Sequence, residues 1–191
     1  MRTATVELES ASPYSSSGVH QTPKLDKETH DDYEKRTWRE RILVNDQNQI
    51  IIPPTAFTNG LSDTARFMPK TIPGRRGATY TKYVESGLLV MDPVVLHGPN
   101  NKPIPKDEVK GEWRFVPADG RTGGGRRVWK CFALIPQWKG TLTLYVVHDL
   151  LTPPIIEEYF NEMGLFIGLG RFRPQKRGFY GRFTVKKVSW S

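Results

Sequence analysis

The residues best suited to bind a ligand are concentrated in the last stretch of the chain, 164–191. Glycines and basic residues are interspersed there with aromatic residues, and the stretch contains seven Lys or Arg but no Asp or Glu. Glycine lets backbone N–H groups approach an anion, arginine binds phosphate oxygens, and aromatic rings stack on nucleobases. This composition predicts a loop that binds nucleic acid and leads into a C-terminal strand.

Two further clusters without acidic residues could extend a phosphate-binding track. They consist of Arg66, Lys70, Arg75, Arg76 and Lys82, and of Arg121, Arg126, Arg127 and Lys130. A solvated basic loop is the simpler interpretation of any one cluster, but three clusters with 16 basic residues favour a polyanionic partner. The predicted nucleic-acid-binding residues are Gly168, Gly170, Arg171, Arg173, Lys176, Arg177, Arg182, Arg66, Arg75, Arg76, Arg126 and Arg127.

The arginines are expected to contact phosphates, helped by the N–H groups of Gly168 and Gly170. The aromatic residues of the stretch have two possible roles. Phe172 and Tyr180 could stack on bases or belong to the core, whereas Phe179 and Phe183 are expected in the core.

Nucleotide-binding and catalytic motifs do not fit the sequence. Gly168-Leu-Gly170 is followed by Arg173 where a dinucleotide fingerprint requires glycine, and the loop at 120–125 is followed by two arginines where a P-loop requires Lys-Ser/Thr. His30-Asp31-Asp32 could be metal ligands or a general base, although a solvated loop with a helix N-cap is favoured. We therefore expect no catalytic residue, no metal and no cofactor.

Composition is compatible with one globular domain. The chain has 191 residues, a net charge of +8 and a single cysteine, Cys131. One cysteine excludes an intramolecular disulfide framework and a multi-cysteine zinc site, and its apolar neighbours predict a buried, inert thiol. No run approaches the roughly 18 apolar residues of a membrane span, and no apolar signal segment is visible at the N-terminus. A cytoplasmic protein without membrane contact is expected.

Alternation of apolar and polar residues predicts the strands. One is expected at 2–10, and two more at 128–135 and 141–148 would form a β-hairpin with a longer loop. The last strand is expected at 179–190. Its alternation shifts at 186–187, which predicts a β-bulge.

Helix signals are clearest near two threonines. Thr55 is expected to cap a helix, although a glycine within the span would delay its start to about Leu61. A second helix is expected to be capped by Thr152 and closed by Gly164. The polar stretch 19–35 is predicted to be a long, mobile loop.

The order of elements, once insertions are removed, is βαββαβ. The simplest fold is α+β: a ferredoxin-like (RRM-like) sheet with helices on one face and large loop insertions. We predict a single domain over 1–191, with insertions at about 12–49 and 97–127.

Three stretches resemble the RAMP superfamily, the CRISPR-associated RNA-binding proteins. GLFIGLGRFRPQKRGFYGRFTV at 164–185 is similar to the family's glycine-rich loop and final strand, and RTATVELESASPYSSSG at 2–18 to its first strand and the following turn. QIIIPPTAFTNGLSDTARF at 49–67 is similar to the start of its first helix, where backbone subunits commonly show Ile-Pro-Gly-Ser-Ser-Leu-Lys-Gly-x-x-Arg.

The third stretch keeps part of that helix pattern. The Ile-Pro pair is present at 52–53, Thr55 stands at a Ser, Phe57 at the Leu, and Arg66 at the closing Arg. Pro54 replaces the Gly, and three extra residues precede the arginine. A further departure is an asparagine near the Lys position.

The resemblance implies a palm domain with insertions that binds single-stranded RNA along its backbone, in copies that assemble along a guide. In some members an acidic loop residue cleaves target RNA, and RNA-processing members use histidine. Asp31 or Asp32 could occupy such a loop, but catalysis is not carried over to this chain.

We therefore expect a non-catalytic protein that binds single-stranded RNA or DNA, RNA preferred, alone or in several copies, as part of a CRISPR-type ribonucleoprotein or as a viral or mobile-element relative. Two alternatives remain open. One is a protein-binding module that inhibits or assembles with such a ribonucleoprotein. The other is a metal-independent ribonuclease that uses a histidine such as His30 or His148.

Overall fold

The structure is a computed structural model that describes residues 1–120 and 125–191, so Arg121 of the second basic cluster lies outside the described residues. The described strands are β1 (Arg2–Ser10), β2 (Tyr14–Ser15), β3 (Ile51–Ile52), β4 (Leu88–Val90), β5 (Val94–Val95), β6 (Lys110–Pro117), β7 (Arg127–Ile135), β8 (Lys139–Val146) and β9 (Phe183–Trp190). The described helices are α1 (His30–Thr37), α2 (Pro54–Phe67), α3 (Thr81–Gly87) and α4 (Pro153–Glu162).

A four-stranded antiparallel sheet forms the centre, in the order β4-β8-β1-β9. The alternation in β1 has its predicted effect, because Ala4, Val6 and Leu8 are at most 1% exposed. The bulge is confirmed as well: Glu7 pairs with Lys187 and Leu8 with Val185, so one residue of β9 has no partner in β1. The mixed helix and antiparallel sheet confirms the α+β class.

Helices α2 and α4 pack on each other and on this sheet through buried aromatic and aliphatic side chains. The expectation that α2 begins near Leu61 is wrong, because the helix begins at Pro54 and contains Gly60. A Cβ atom at Gly60 would lie 2.2 Å from Cε of Met163, which is fully buried against it. Tertiary packing therefore explains this glycine, whereas local propensity alone treats it as a helix breaker.

The end of α4 also differs from the prediction. Gly164 does not close the helix, since the chain continues through a π-helical turn at Met163–Ile167 and ends at Gly168, which has a φ of 71°. Gly164 lies against the last strand: an added Cβ would lie 2.2 Å from the Phe183 carbonyl oxygen.

A second sheet has the order β2-β7-β6. The predicted hairpin between β7 and β8 is wrong, because β7 pairs along its length with β6, from Arg127 opposite Pro117 to Leu134 opposite Lys110. Pro136, which has no N–H to donate, follows β7, and the chain enters the central sheet at β8.

The segments predicted as insertions contain regular structure. The stretch 12–49 includes β2 and helix α1, which packs on β7, so the expectation of a mobile loop over 19–35 is wrong in its last part. Residues 110–117 of the other segment form β6. In the part of the chain that the structure describes, no helix has the length and apolar character that crossing a bilayer requires.

Candidate nucleic-acid interface

A polar cleft of about 550 Å³ opens beside the first turns of α2, and we call it the α2 cleft. Four separate parts of the sequence form its walls: the turn that follows β2, the start and body of helix α2, Glu85 of helix α3, and the glycine-rich loop after α4. The lining residues are Ser17, Pro53, Thr55, Ala56, Asn59, Ser62, Asp63, Arg66, Glu85, Gly170 and Arg173. Each of the three stretches that carry the family resemblance thus contributes to one cavity.

The N-terminus of α2 is open towards this cleft. Pro53 is the N-cap residue, and no side chain accepts a hydrogen bond there, so the predicted capping by Thr55 is wrong. No acidic residue lies in the first turn. Because a helix N-terminus carries unpaired N–H groups and about half a positive charge, it favours an anion. No acidic side chain in the first turn of α2 opposes this preference, but the turn offers fewer free N–H groups than usual, because Pro54 has none and the Ala56 N–H donates to the Pro53 carbonyl oxygen at 3.0 Å.

The glycine-rich loop is held against the strand β2. The Arg171 N–H donates to the Ser15 carbonyl oxygen at 2.9 Å. Gly170, with a φ of 76°, sits so close to this strand that an added Cβ would lie 2.1 Å from the same oxygen. A side chain at this position is therefore excluded both by backbone conformation and by contact.

The two glycine N–H groups expected to face phosphate differ. The Gly168 N–H donates to the Met163 carbonyl oxygen at 2.8 Å, so this group caps the π-helical turn and is not available to a ligand. The N–H of Gly170 has no acceptor among the described residues, and Gly170 lines the cleft. Of these two N–H groups, only that of Gly170 is therefore available to a phosphate, as the sequence predicted for both.

Two predicted arginines reach the α2 cleft, each paired with a carboxylate. Arg173 donates through Nη2 to Gln175 at 2.6 Å and lies 3.4 Å from Asp63. Arg66 donates to Glu85 at 2.5 Å. The lining charges balance, so the arginines are held in place by partners with which a phosphate would have to compete.

Arg171 is directed away from the cleft and into the protein. Its Nη1 donates to the Cys131 carbonyl oxygen at 3.1 Å, and its guanidinium lies 4.4 Å from the centre of the Phe132 ring. Burial, with the charge of nearby Arg41, lowers the pKa of Arg171 to about 10. These contacts give this arginine a structural role and leave its prediction as a phosphate ligand without support.

The other predicted basic residues lie outside the α2 cleft. Arg182 donates to the Leu165 carbonyl oxygen at 3.1 Å. The remaining members share an exposed position on loops, turns or strand ends: Lys176, Arg177, Arg75, Arg76, Arg126 and Arg127. The structure therefore brings together Gly170, Arg173 and Arg66 of the predicted set. Gly168 is buried and Arg171 points inward, and the other members lie at separate places outside the cleft.

The loop aromatics form a cluster with one exposed member. Tyr180 and Phe183 are 1% exposed, and Phe172 is partly buried against Tyr180. The Tyr180 hydroxyl donates to Glu112 at 2.6 Å and accepts from Arg114 at 2.9 Å, which ties the loop to β6. Phe179 is 41% exposed, so the expectation that it belongs to the core is wrong.

Helix α1 carries a buried carboxylate that sequence reasoning missed. Glu34 is 1% exposed and accepts from the Cys131 N–H at 3.0 Å. Its carboxylate lies 3.5 Å from both Arg41 and His20. Burial and the charge of Arg41 lower the pKa of His20, whose Nε2 accepts from Arg41 at 2.6 Å. This network joins α1 to β7.

The acidic motif at the start of α1 is a helix N-terminus. Thr29 is the N-cap, and its hydroxyl accepts from the Asp32 N–H at 3.1 Å. The hydrogen bond to Thr29 also lowers the pKa of Asp32. No group of three or more His, Cys, Asp or Glu that could hold a metal occurs among the residues that the structure describes. Cys131 is buried, and burial raises its pKa to about 11.

Comparison with known proteins finds likenesses among solved structures but none among family models or curated proteins. No family model matches the sequence, and no curated protein matches it. A solved structure described as "Cryo-EM structure of the Type III-B Cmr-beta bound to cognate target RNA" contains a chain that is similar with a TM-score of 0.48 and 9% sequence identity. The match covers 99% of this chain and 60% of that chain.

Proposed function

We propose that this protein binds the backbone of a single-stranded nucleic acid, RNA preferred, at the α2 cleft and the adjoining glycine-rich loop, without catalysing a reaction. The observation that carries the proposal is the uncapped, acid-free N-terminus of α2, which opens into a cavity walled by Ser17, Gly170 and Arg173. Backbone N–H groups, hydroxyls and an arginine around one cavity are the groups that proteins use for phosphate.

The cleft offers several kinds of donor to a phosphate oxygen. The lining residues include Ser17 and Thr55, which carry hydroxyls, Asn59, which carries an amide, and Gly170, whose N–H has no acceptor among the described residues. The Arg173 guanidinium can turn from Asp63 to a phosphate, because the pair is long at 3.4 Å and both side chains are partly exposed. These groups fix the position of the backbone and read no base.

Exposed basic residues outside the cleft would supply the long-range attraction. Lys176 and Arg177 lie three and four residues after Arg173 and are both exposed. Arg75 and Arg76 occupy the loop between α2 and α3. With a net charge of +8, such residues attract a polyanion and speed its approach even where they make no fixed contact.

We also propose that the central sheet is ferredoxin-like. In chain order the strands β1, β4, β8 and β9 become first, second, third and fourth, with α2 and α4 in the two crossover positions. Their spatial order is then second-third-first-fourth, with antiparallel neighbours throughout, which supports a βαββαβ fold. The family resemblance of the sequence extends this to a role in a CRISPR-type ribonucleoprotein, in one or several copies.

Placing a negative charge in the cleft tests the proposal. Asn59→Asp puts a carboxylate beside the bound phosphate and is expected to weaken binding of a labelled single-stranded RNA about tenfold, because like charges repel at short range. The affinity is measured by fluorescence anisotropy at low salt.

Asn100→Asp is the matched control. It makes the same charge change on an exposed turn, and the new carboxylate can still accept from the Lys102 N–H as the amide oxygen does at 3.0 Å. Equal affinities for the two variants would place the binding site elsewhere.

A further inference from the structure

A second concave site lies on the hairpin formed by β6 and β7, apart from the α2 cleft. Three large aromatic side chains on this hairpin are exposed: Trp113 by 38%, Phe115 by 47% and Trp129 by 45%. Phe115 and Trp129 are direct cross-strand partners, with ring centres 5.5 Å apart. Trp113 is two residues from Phe115 and therefore projects on the same face of the hairpin.

One end of this face is covered and the other is open. At the covered end, Trp38 packs over Gly111, where an added Cβ would lie 3.1 Å from the indole ring. Cys131, the cross-strand partner of Trp113, is fully buried. Trp113, Phe115 and Trp129 lie on the same face, beyond the part that Trp38 covers. Their exposure is notable because tryptophan side chains are on average largely buried.

The open end forms a cavity with charged groups at its edge. Asp31 and Lys35 of α1 line a cleft of about 400 Å³ together with Trp113 and Trp129. In the described part of the chain, the Asp31 carboxylate has no hydrogen-bond or ion-pair partner, while Lys35 lies 3.5 Å from Asp32 on the solvent-exposed helix surface. The cleft thus combines two indole rings, an available acceptor and a donor.

The hairpin also carries a cation beside the rings. The Arg127 guanidinium lies 5.5 Å from the Phe115 ring centre and donates to the Phe115 carbonyl oxygen at 2.6 Å. A phosphate attached to a base in the cleft would meet this positive charge rather than an apolar surface.

We propose that the cleft between Trp113 and Trp129 holds a nucleobase, which stacks on an indole ring and turns its polar edge towards Asp31 and Lys35. This inference rests on the proposed function and adds a base-binding subsite to the phosphate-binding cleft. Stacking on aromatic side chains is the main source of affinity for unpaired bases, and carboxylate and ammonium groups match the N–H donors and carbonyl acceptors of a base edge. An apolar protein partner would leave Asp31 and Lys35 without a role.

The test compares an RNA of about 12 nucleotides with the same oligonucleotide carrying abasic sugars at its central positions. Removing the bases is expected to weaken binding to the native protein roughly tenfold. Trp129→Ala should weaken binding of the intact oligonucleotide by a similar factor and make the protein indifferent to base removal. Trp129→Phe should retain part of the effect, which keeps the test valid if the alanine variant folds poorly.

Two further variants sharpen the result. Phe166→Ala removes a ring of similar exposure, 47%, outside both clefts and should behave as the native protein. Asp31→Ala removes a negative charge, which by electrostatics alone would strengthen binding to a polyanion, so weaker binding of the intact oligonucleotide identifies Asp31 as a ligand of the base.

The outcomes separate the two proposals. The base site is overturned if binding is salt-sensitive but its affinity does not change when the bases are removed. It is also overturned if base removal lowers the affinity equally for the native protein and for Trp129→Ala. Either result is compatible with phosphate binding at the α2 cleft. A change in sedimentation of Trp129→Ala with unchanged RNA affinity would assign the face to a second copy of the chain. Absence of any binding by the native protein overturns both proposals.

Discussion

Two arginines separated by one residue have different surroundings in this protein. Arg171 points inward to the Cys131 carbonyl and the Phe132 ring, whereas Arg173 points to the α2 cleft. The difference arises because the Arg171 N–H is bonded to Ser15, which fixes the orientation of the loop on β2. A basic residue in such a loop is therefore a ligand or a structural element according to the side of the loop on which it lies.

Alanine substitutions should separate these roles. Arg171→Ala is expected to lower the free energy of unfolding by about 2 kcal/mol, because it removes a buried charged donor and a ring contact. Arg173→Ala should change it by less than about 0.5 kcal/mol, since its partners are partly exposed. Urea denaturation of both variants measures the difference; equal losses of stability would contradict the assignment.

At the scale of the elements, the sequence predicted the features that depend on neighbouring residues in the chain. The alternation in β1, the β-bulge in β9 and the position of Thr152 as the N-cap residue of α4 were predicted from residue types, although the Thr152 side chain makes no capping hydrogen bond. The pairing of β7 with β6 instead of β8 was not, because the residue types within one strand do not specify which strand becomes its partner. The start of α2 was missed because Gly60 accommodates Met163, 103 residues later in the printed sequence.

The approach of α4 to the last strand gives a prediction at this scale. Gly164→Ala would place a methyl group 2.2 Å from the Phe183 carbonyl oxygen, and rigid backbone must move to relieve the contact. We expect a loss of about 1–3 kcal/mol in the free energy of unfolding, typical of overpacking.

The matched control for this variant is Gly98→Ala, where the nearest atom to the added methyl group is a side-chain oxygen of Asn100 at 3.2 Å. Thermal denaturation followed by circular dichroism compares the two. An unchanged melting temperature for the Gly164 variant would show that α4 and β9 are not held in this contact.

For the molecule as a whole, the sequence predicts a type of partner but does not locate a site for it. Net charge and the acid-free clusters predicted a polyanion, but the position of the cleft depends on the meeting of Ser17, α2 and Gly170, which are far apart in the chain. Charge patterns also could not show that Arg66 is paired with Glu85 and Arg173 with Asp63. The neutral donors of the cleft, such as Asn59, gave no sequence signal.

The salt dependence of binding tests the central claim most directly. The logarithm of the affinity for a single-stranded RNA should fall linearly with the logarithm of the salt concentration, because each neutralised phosphate releases counterions. Arg173→Ala should reduce the magnitude of the slope by about 0.7, the contribution of one phosphate contact on a single strand, whereas Arg171→Ala should leave the slope unchanged. A native protein without salt-sensitive binding, or a slope that Arg173→Ala does not alter, would contradict phosphate binding at the α2 cleft.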